Sequence, residues 1–254
     1  VPKAYNLVTR ALTPKEVRGD KRALDAIRAE GNSLIEQGTW LEATVTERRK
    51  LIENARKTGK TIHFGQLLTL CSIKYAEKEI QFWVYTGRIC FRGDCAKDQY
   101  GAAAVYQELG ASPTTIHTAN STIAYGSLPG HECQASDARR AYIQADLKSK
   151  HETWVEIPWE LRPDAWKHLH RPMCRLQKAL YGHPDAGGYW EKHCESHLTS
   201  VGFVPISDWR SCFWHPELEM FLVVYVDDFK LSGPEKNMEA TWNLILAGIE
   251  TDDP

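Results

Sequence analysis

The sequence lacks any apolar run near the roughly 18 residues that would mark a membrane span. No membrane is therefore expected among its partners. Its opening, VPKAYNLVTR, lacks the apolar core of a signal peptide. It also lacks an initiator Met, and the close AGIETDDP falls just after an amphipathic stretch, so a piece of a longer chain is expected. Neither charge sign is in excess. A net charge of −2 neither advertises nor excludes a nucleic-acid partner, because a basic groove can sit on a neutral protein. Seven scattered cysteines, an odd number, read as reduced thiols inside a cell. There is no G-x-x-x-x-G-K and no G-x-S-x-G, so NTP hydrolysis through a P-loop and serine hydrolysis have no support. Repeats and low-complexity tracts are absent as well.

What is present is the composition of an ordinary globular protein: 254 residues, 43% hydrophobic and 25% charged. That length suits one large domain or two small ones. Residues 1–19 read as an extended lead-in. DKRALDAIRAEGNSLIEQGTW has helical spacing from Leu24 to Ile35, with Asp20 as N-cap and Gly38 as stop. Residues 42–60 are charged and expected to be partly helical. TIHFGQLLTLCSIKY and EIQFWVYTGRICF favour two strands around a turn at Glu77-Lys78. Residues 102–109 suit a short helix, and SPTTIHTANST a polar loop. Later come a strand over Cys133–Tyr142 ending in a turn, a short strand WVEIP, and a helix over Tyr189–Val201. Two strands follow around HPELE, with a last helix from Pro234. A helical opening, hairpins, then mixed strands and helices point to an α+β fold.

The densest chemistry lies in FLVVYVDDFKLSG, an apolar strand ending in two adjacent carboxylates, Asp227 and Asp228. An acidic pair at a turn is ordinary, because Asp bonds nearby backbone. Adjacent strand residues point to opposite faces, so the pair shares a face only if the turn relaxes that rule. A site for two hard cations needs carboxylates from elsewhere. Asp137, at the start of DARRAYIQADL ninety residues before Asp227, can supply one. His193 and His197 stand at helical spacing in His-Cys-x-x-His, and Cys90 and Cys95 have four residues between them. Neither set has a second ligand pair, so packing explains them better than zinc.

These residues carry a resemblance. YVDD after an apolar strand resembles the active-site hairpin of reverse transcriptases. DARRAYIQADL resembles the DVKTAFLNGDL segment of the Ty1/copia class of retrotransposon reverse transcriptases. WVEIP is similar to their VYMEQP, CRLQKALYGHPDAGGYW to CKLKKSLYGLKQAPRAW, and HLTSVGF to FLLSLGF. Upstream, AIRAEGNSLIEQGTW resembles AIQEELNSLLENGTW, and GRICFRG is similar to ARLVAKG. The resemblance spans roughly residues 20–240.

The resemblance implies an RNA-directed DNA polymerase with a right-hand architecture. Residues 20–130 would be fingers-like, and residues 131–254 the palm, with an antiparallel sheet packed on helices; thumb and RNase H would be absent. Asp137, Asp227 and Asp228 match the catalytic carboxylates that hold Mg²⁺ or Mn²⁺. Asp137 and Asp227 would be the bridging pair and Asp228 the peripheral third. Tyr142 matches the ring under the incoming sugar that excludes a 2′-hydroxyl. Tyr181 and Gly182 match the turn beside the incoming base. Lys74, Arg88 and Lys230 would face the triphosphate, and Tyr225 and Val226 the primer end. The implied partners are an RNA or DNA template-primer, deoxynucleoside triphosphates, and the integrase and RNase H of a Pol polyprotein. The implied compartment is the cytoplasm, in a particle, or the nucleus. One departure stands out: where the family has LKQAPR, this chain has HPDAGG, which removes a basic residue and adds Asp185. A second reading follows from it, a decayed or domesticated copy that binds nucleic acid or a protein without catalysis.

Overall fold

The computed structural model describes residues 8–107 and 114–254. Contacts divide the chain into two interleaved units, one of residues up to Tyr106 with Lys148–His183, the other of Gln107–Leu147 with Pro184–Pro254. The sequence reading cut the chain after a lead-in, at 19/20, and again at 130/131. The contacts instead cut it three times, because residues 148–183 return to the sheet begun by the first hundred. Among the described residues the fold is mixed α+β, with two sheets and seven α-helices.

Along the chain the elements are β1 (Thr9–Ala11), α1 (Pro14–Gly19), α2 (Lys21–Glu36), β2 (Trp40–Glu47), α3 (Arg48–Thr58), β3 (Ile62–Lys74), β4 (Val84–Phe91) and β5 (Lys97–Asp98). After the undescribed 108–113 come α4 (Ile116–Gly126), β6 (His131–Asp137), α5 (Ala141–Gln144), β7 (Glu152–Glu156) and β8 (Pro172–Leu176). The chain ends with α6 (Ala186–Ser200), β9 (Val204–Pro205), β10 (Cys212–His215), β11 (Met220–Tyr225), β12 (Asp228–Pro234) and α7 (Glu235–Leu246).

In the first unit, Asp20 caps α2 by accepting from the Arg22 N–H at 2.9 Å. Ala23, Ile27 and Leu34 form the helix's fully buried stripe. The charged stretch 42–60 divides into the end of β2 and all of α3, which Gly59 stops at φ 67°. β3 anchors the sheet. Its first half pairs in parallel with β7 and its second half antiparallel with β4. The strand order is β1-β3-β7-β8-β2, with β4 and β5 also on β3. Ala55, Ile62, Phe64, Trp154 and Met173 pack α3 onto this sheet.

The second unit is built on an antiparallel sheet of order β6-β12-β11-β10-β9. Met220–Val224 are all buried, so β11 is covered on both faces, which is why it reads as a continuous apolar run. Phe229 and Leu231 in β12 have no exposed surface. Trp242 of α7 reaches the sheet and donates to Gln134 Oε1 at 2.8 Å.

Three expectations change here. Residues 14–19, expected within an extended lead-in, form helix α1, because Thr13 and Glu16 make a reciprocal capping box at its start. Residues 102–107 form no helix, and the remainder of that predicted helix lies outside the described residues. SPTTIHTANST is not a loop: from Ile116 it is helix α4. Thr115 caps the helix by accepting from the Thr118 N–H, and Thr122 Oγ1 donates back to the Thr118 carbonyl at 3.1 Å. Ser and Thr score poorly as helix formers because their hydroxyls compete for backbone. Here those hydroxyls bond within the helix, and Thr118 and Thr122 are buried against the sheet.

Candidate active site

The hairpin β11–β12 closes through a two-residue turn, Val226-Asp227, with Tyr225 opposite Asp228. Val226 has φ 59°, a left-handed conformation costly for a β-branched side chain. Of the two turn residues only the first has positive φ, the pattern of a II′-like turn that favours Gly there. The strain is held in place: Trp190 of α6 donates its indole N–H to the Val226 carbonyl at 2.5 Å. The next carbonyl, of Asp227, accepts from the Ala138 N–H at 2.6 Å. That bond ties the turn to the end of β6.

β6 lies antiparallel beside β12, in a register that sets Asp137 directly across from Asp228. The Asp137 carbonyl accepts from the Asp252 N–H at 2.8 Å, and Arg139 Nε meets Asp252 Oδ1 at 2.6 Å, so the C-terminal segment braces this strand end. Burial raises the Asp228 carboxyl above its ordinary range. Its hydrogen bond to Asp137 and the charges of Asp137 and Asp227 push the same way, with Lys230 opposing. Asp137 and Asp227 were expected as the bridging ligands, with Asp228 peripheral; the carboxylate that hydrogen-bonds Asp137 in the fold is Asp228. The reason is register: the turn ends at Asp227, and Asp228 already occupies the paired strand position. Among the described residues, no three or more His, Cys, Asp or Glu side chains gather closely enough to hold a metal ion.

A cavity of about 550 Å³ opens beside this pair. Asp137, Asp228, Lys230 and Tyr225 line it, together with Thr114 and Thr115. Lys230 lies two residues from Asp228, on the same face of β12. The two threonines were missed in the sequence because their segment read as a polar loop. The one available signal was the Thr-x-x-Thr spacing of a capped helix start.

Tyr142, on α5, lines a second cavity of about 390 Å³ with Trp190, Glu191, Tyr225 and Val226. Its hydroxyl pKa is raised by burial, then by the charges of Asp227 and Glu191. The hairpin tip thus stands between two cavities, and Tyr225 lines both.

The remaining expected residues belong to the first unit. Arg88 of β4 lies over the Tyr181 ring, 5.9 Å from its centroid. The Tyr181 carbonyl accepts from the Phe91 N–H at 2.7 Å. Gly182 has φ 86°, and a Cβ there would collide with the Phe91 carbonyl oxygen. Arg88, Tyr181 and Gly182 are therefore brought together. Lys74 is not with them: it pairs with Val84, four residues along the strand from Arg88, about 13 Å away.

Asp185, the added acid, is 1% exposed and accepts from the Gln107 N–H at 3.2 Å, at the start of α6. A carboxylate there complements the helix dipole. His193 stacks on Trp190 with centroids 5.7 Å apart, and His197 Nε2 lies 3.0 Å from the Leu244 and Ile245 carbonyls. All seven cysteines are unpaired. No helix among the described residues is long and apolar enough to cross a membrane.

Compared with known proteins, the chain matches no family model and no curated protein. Among solved structures, it is similar to a chain of telomerase from Candida albicans, determined in complex with a TWJ fragment of telomeric RNA. The TM-score is 0.42 and the identity 9%, over 89% of this chain and 45% of that one. The chain therefore spans less than half the length of that telomerase chain, and a likeness this weak carries no functional weight.

Proposed function

We propose that the chain is an RNA-directed DNA polymerase of the Ty1/copia reverse-transcriptase kind, adding deoxynucleotides to a primer 3′ end. The observation that supports it most is the register that sets Asp137 against Asp228, with Asp227 in the adjoining turn. Carboxyl groups crowded this way are costly unless a proton or a cation shares them.

Two carboxylates in contact suit Mg²⁺ or Mn²⁺, since such ions usually take one or two carboxylates and complete their shell with water and substrate phosphate. A cage of three protein carboxylates is not part of this reading. When bound, the metal would lower the charge barrier to phosphoryl transfer. Asp137 and Asp228 would hold it, with Asp227 adding charge from the turn. Lys230, in the same cavity, offers a cation to the triphosphate. Tyr142 offers a flat ring beside Asp227 for steric selection of the sugar. Tyr225 and Val226 would meet the primer end; Arg88, Tyr181 and Gly182, gathered within the first unit, would be a group of their own for nucleotide or template, and Lys74 lies apart from them. On this reading the unit of residues up to 106 with 148–183 acts as fingers, the unit of 107–147 with 184–254 as palm, and integrase and RNase H segments accompany them inside the cell.

The test is deoxynucleotide incorporation on a primed RNA template with Mg²⁺ or Mn²⁺, comparing wild type with Asp137→Asn. The expected result is extension by wild type alone. No extension with either metal, alongside primer-template binding that Asp137→Asn leaves intact, would replace this reading with that of a copy that binds without catalysis. That second reading draws on the absence of a three-carboxylate ligand set among the described residues and on the missing base in HPDAGG.

A further inference from the structure

A separate cavity lies wholly within the first unit, among the start of α3, the first half of β3, β7 and β8. Its volume is about 270 Å³, and its lining includes Arg48, Lys97, Arg171, Gln66, Glu156 and Phe64. The sheet builds its floor: Gln66 of β3 pairs with Glu156 of β7, which pairs with Met173 of β8. Lys97 of β5 pairs with Phe64, which brings it to the same rim. We propose that this cavity binds a phosphate-type oxyanion.

The charge balance supports the proposal. Three cations line the cavity against one carboxylate, Glu156. That carboxylate is already engaged: Arg171 holds it through Nε at 3.0 Å and through a second guanidinium nitrogen, and Arg162 approaches it at 3.7 Å. Arg48 is left over. Its guanidinium lies over the Phe64 ring at 5.1 Å, and its Nε is buried with no acceptor among the described residues. A buried donor without an acceptor is costly, and more so on a cation. Burial and the charge of Arg171 both disfavour the protonated Arg48, outweighing Glu156. An anion in the cavity offsets the like charges of Arg48 and Arg171, both of which line it.

Geometry favours an oxyanion over a carboxylate side chain. Arg48 is the first residue of α3, an 11-residue helix with no side-chain cap, so the positive helix end lies at the cavity wall; the Arg48 N–H itself donates to the Arg171 carbonyl at 3.1 Å. The cavity exceeds the roughly 30 Å³ of a water several-fold, leaving room for a tetrahedral ion and its hydration. Free phosphate, pyrophosphate and the backbone of a nucleic acid share this chemistry.

The experiment titrates the whole chain with inorganic phosphate and with pyrophosphate by calorimetry in EDTA, so that no metal bridges an anion to the aspartates. The expected result is saturable binding, weakened about tenfold by Arg48→Gln and by Lys97→Gln, the weight of one charge-assisted hydrogen bond. Lys50→Gln, on an exposed side chain of the same helix, serves as control and leaves binding unchanged. Absent binding, or equal binding in wild type and both cavity variants, overturns the proposal. If circular dichroism shows Arg48→Gln misfolded, Lys97→Gln alone decides, since Lys97 is exposed. A single-stranded oligonucleotide arm identifies the source. Parallel loss of oligonucleotide affinity assigns the site to a nucleic-acid backbone, and loss confined to the free ions assigns it to a small phosphate.

Discussion

Asp228 stands directly across from Asp137 on the neighbouring antiparallel strand and shares a carboxyl hydrogen bond with it. The Asp228 pKa is raised in the folded chain, first by burial and then by Asp137. Between the unfolded value of about 4 and the raised folded value, the native state binds more protons than the unfolded one, so stability falls as pH rises through that window. Asp228→Asn removes the repulsion. Its melting temperature should match wild type in acid and exceed it at neutral pH. Parallel curves for the two proteins from pH 4 to 7 would show that the carboxyls do not share a proton.

Mg²⁺ should offset the same repulsion. At neutral pH, millimolar Mg²⁺ is expected to raise the melting temperature of wild type and to do so much less in Asp137→Asn, because ligand binding stabilises only the state that holds the site. An equal rise in both proteins would place the ion elsewhere.

The hairpin tip is strained at Val226 and held by Trp190. Trp190→Phe keeps most of the ring volume and deletes the N–H, so it should cost about 1–3 kcal/mol and lower the urea midpoint without changing the slope. Val226→Gly relieves the left-handed strain and should leave stability unchanged or raise it by about 1 kcal/mol. An unaltered midpoint in Trp190→Phe would mean the turn holds its shape unaided.

Gly182 tests the other unit. Its positive φ and the nearby Phe91 carbonyl leave no room for a methyl group, so Gly182→Ala should destabilise by at least about 1 kcal/mol. The loss should appear in amide exchange as weaker protection of the Phe91 N–H, which now bonds Tyr181. Retained protection there would show that the loop accommodates the methyl group without moving.

Parts of this architecture were legible because they are local. Asp20 announces α2 by cap chemistry, and the apolar run 220–224 announces a strand covered on both faces. α4 was not legible, since its Ser and Thr residues are poor helix formers whose cost is met by burial against the sheet. Nor was the choice of Asp228 over Asp227 as the neighbour of Asp137. That choice depends on the register of β6 against β12, which no residue near either aspartate encodes, and a slip of one position exchanges the two faces. Arg48 escaped notice because the base of its cavity is assembled from three strands distant in sequence.

Tyr142 carries the sharpest expectation about substrate choice. Its ring shares a cavity wall with Tyr225 and Val226 and feels the charge of Asp227. On the proposed polymerase reading, a ring in that position would exclude a 2′-hydroxyl by volume, so truncation should admit it. Tyr142→Ala is expected to raise ribonucleotide use relative to deoxynucleotide by about tenfold or more, the scale on which pockets discriminate by one small group. Tyr142→Phe should keep the selectivity of wild type, because volume rather than the hydroxyl does the excluding. The measurement is the ratio of kcat/KM for the two nucleotides on one primed template. A Tyr142→Phe enzyme with the relaxed ratio of Tyr142→Ala would shift selection from the ring to its hydroxyl. An unchanged ratio in Tyr142→Ala would remove Tyr142 from the sugar site altogether.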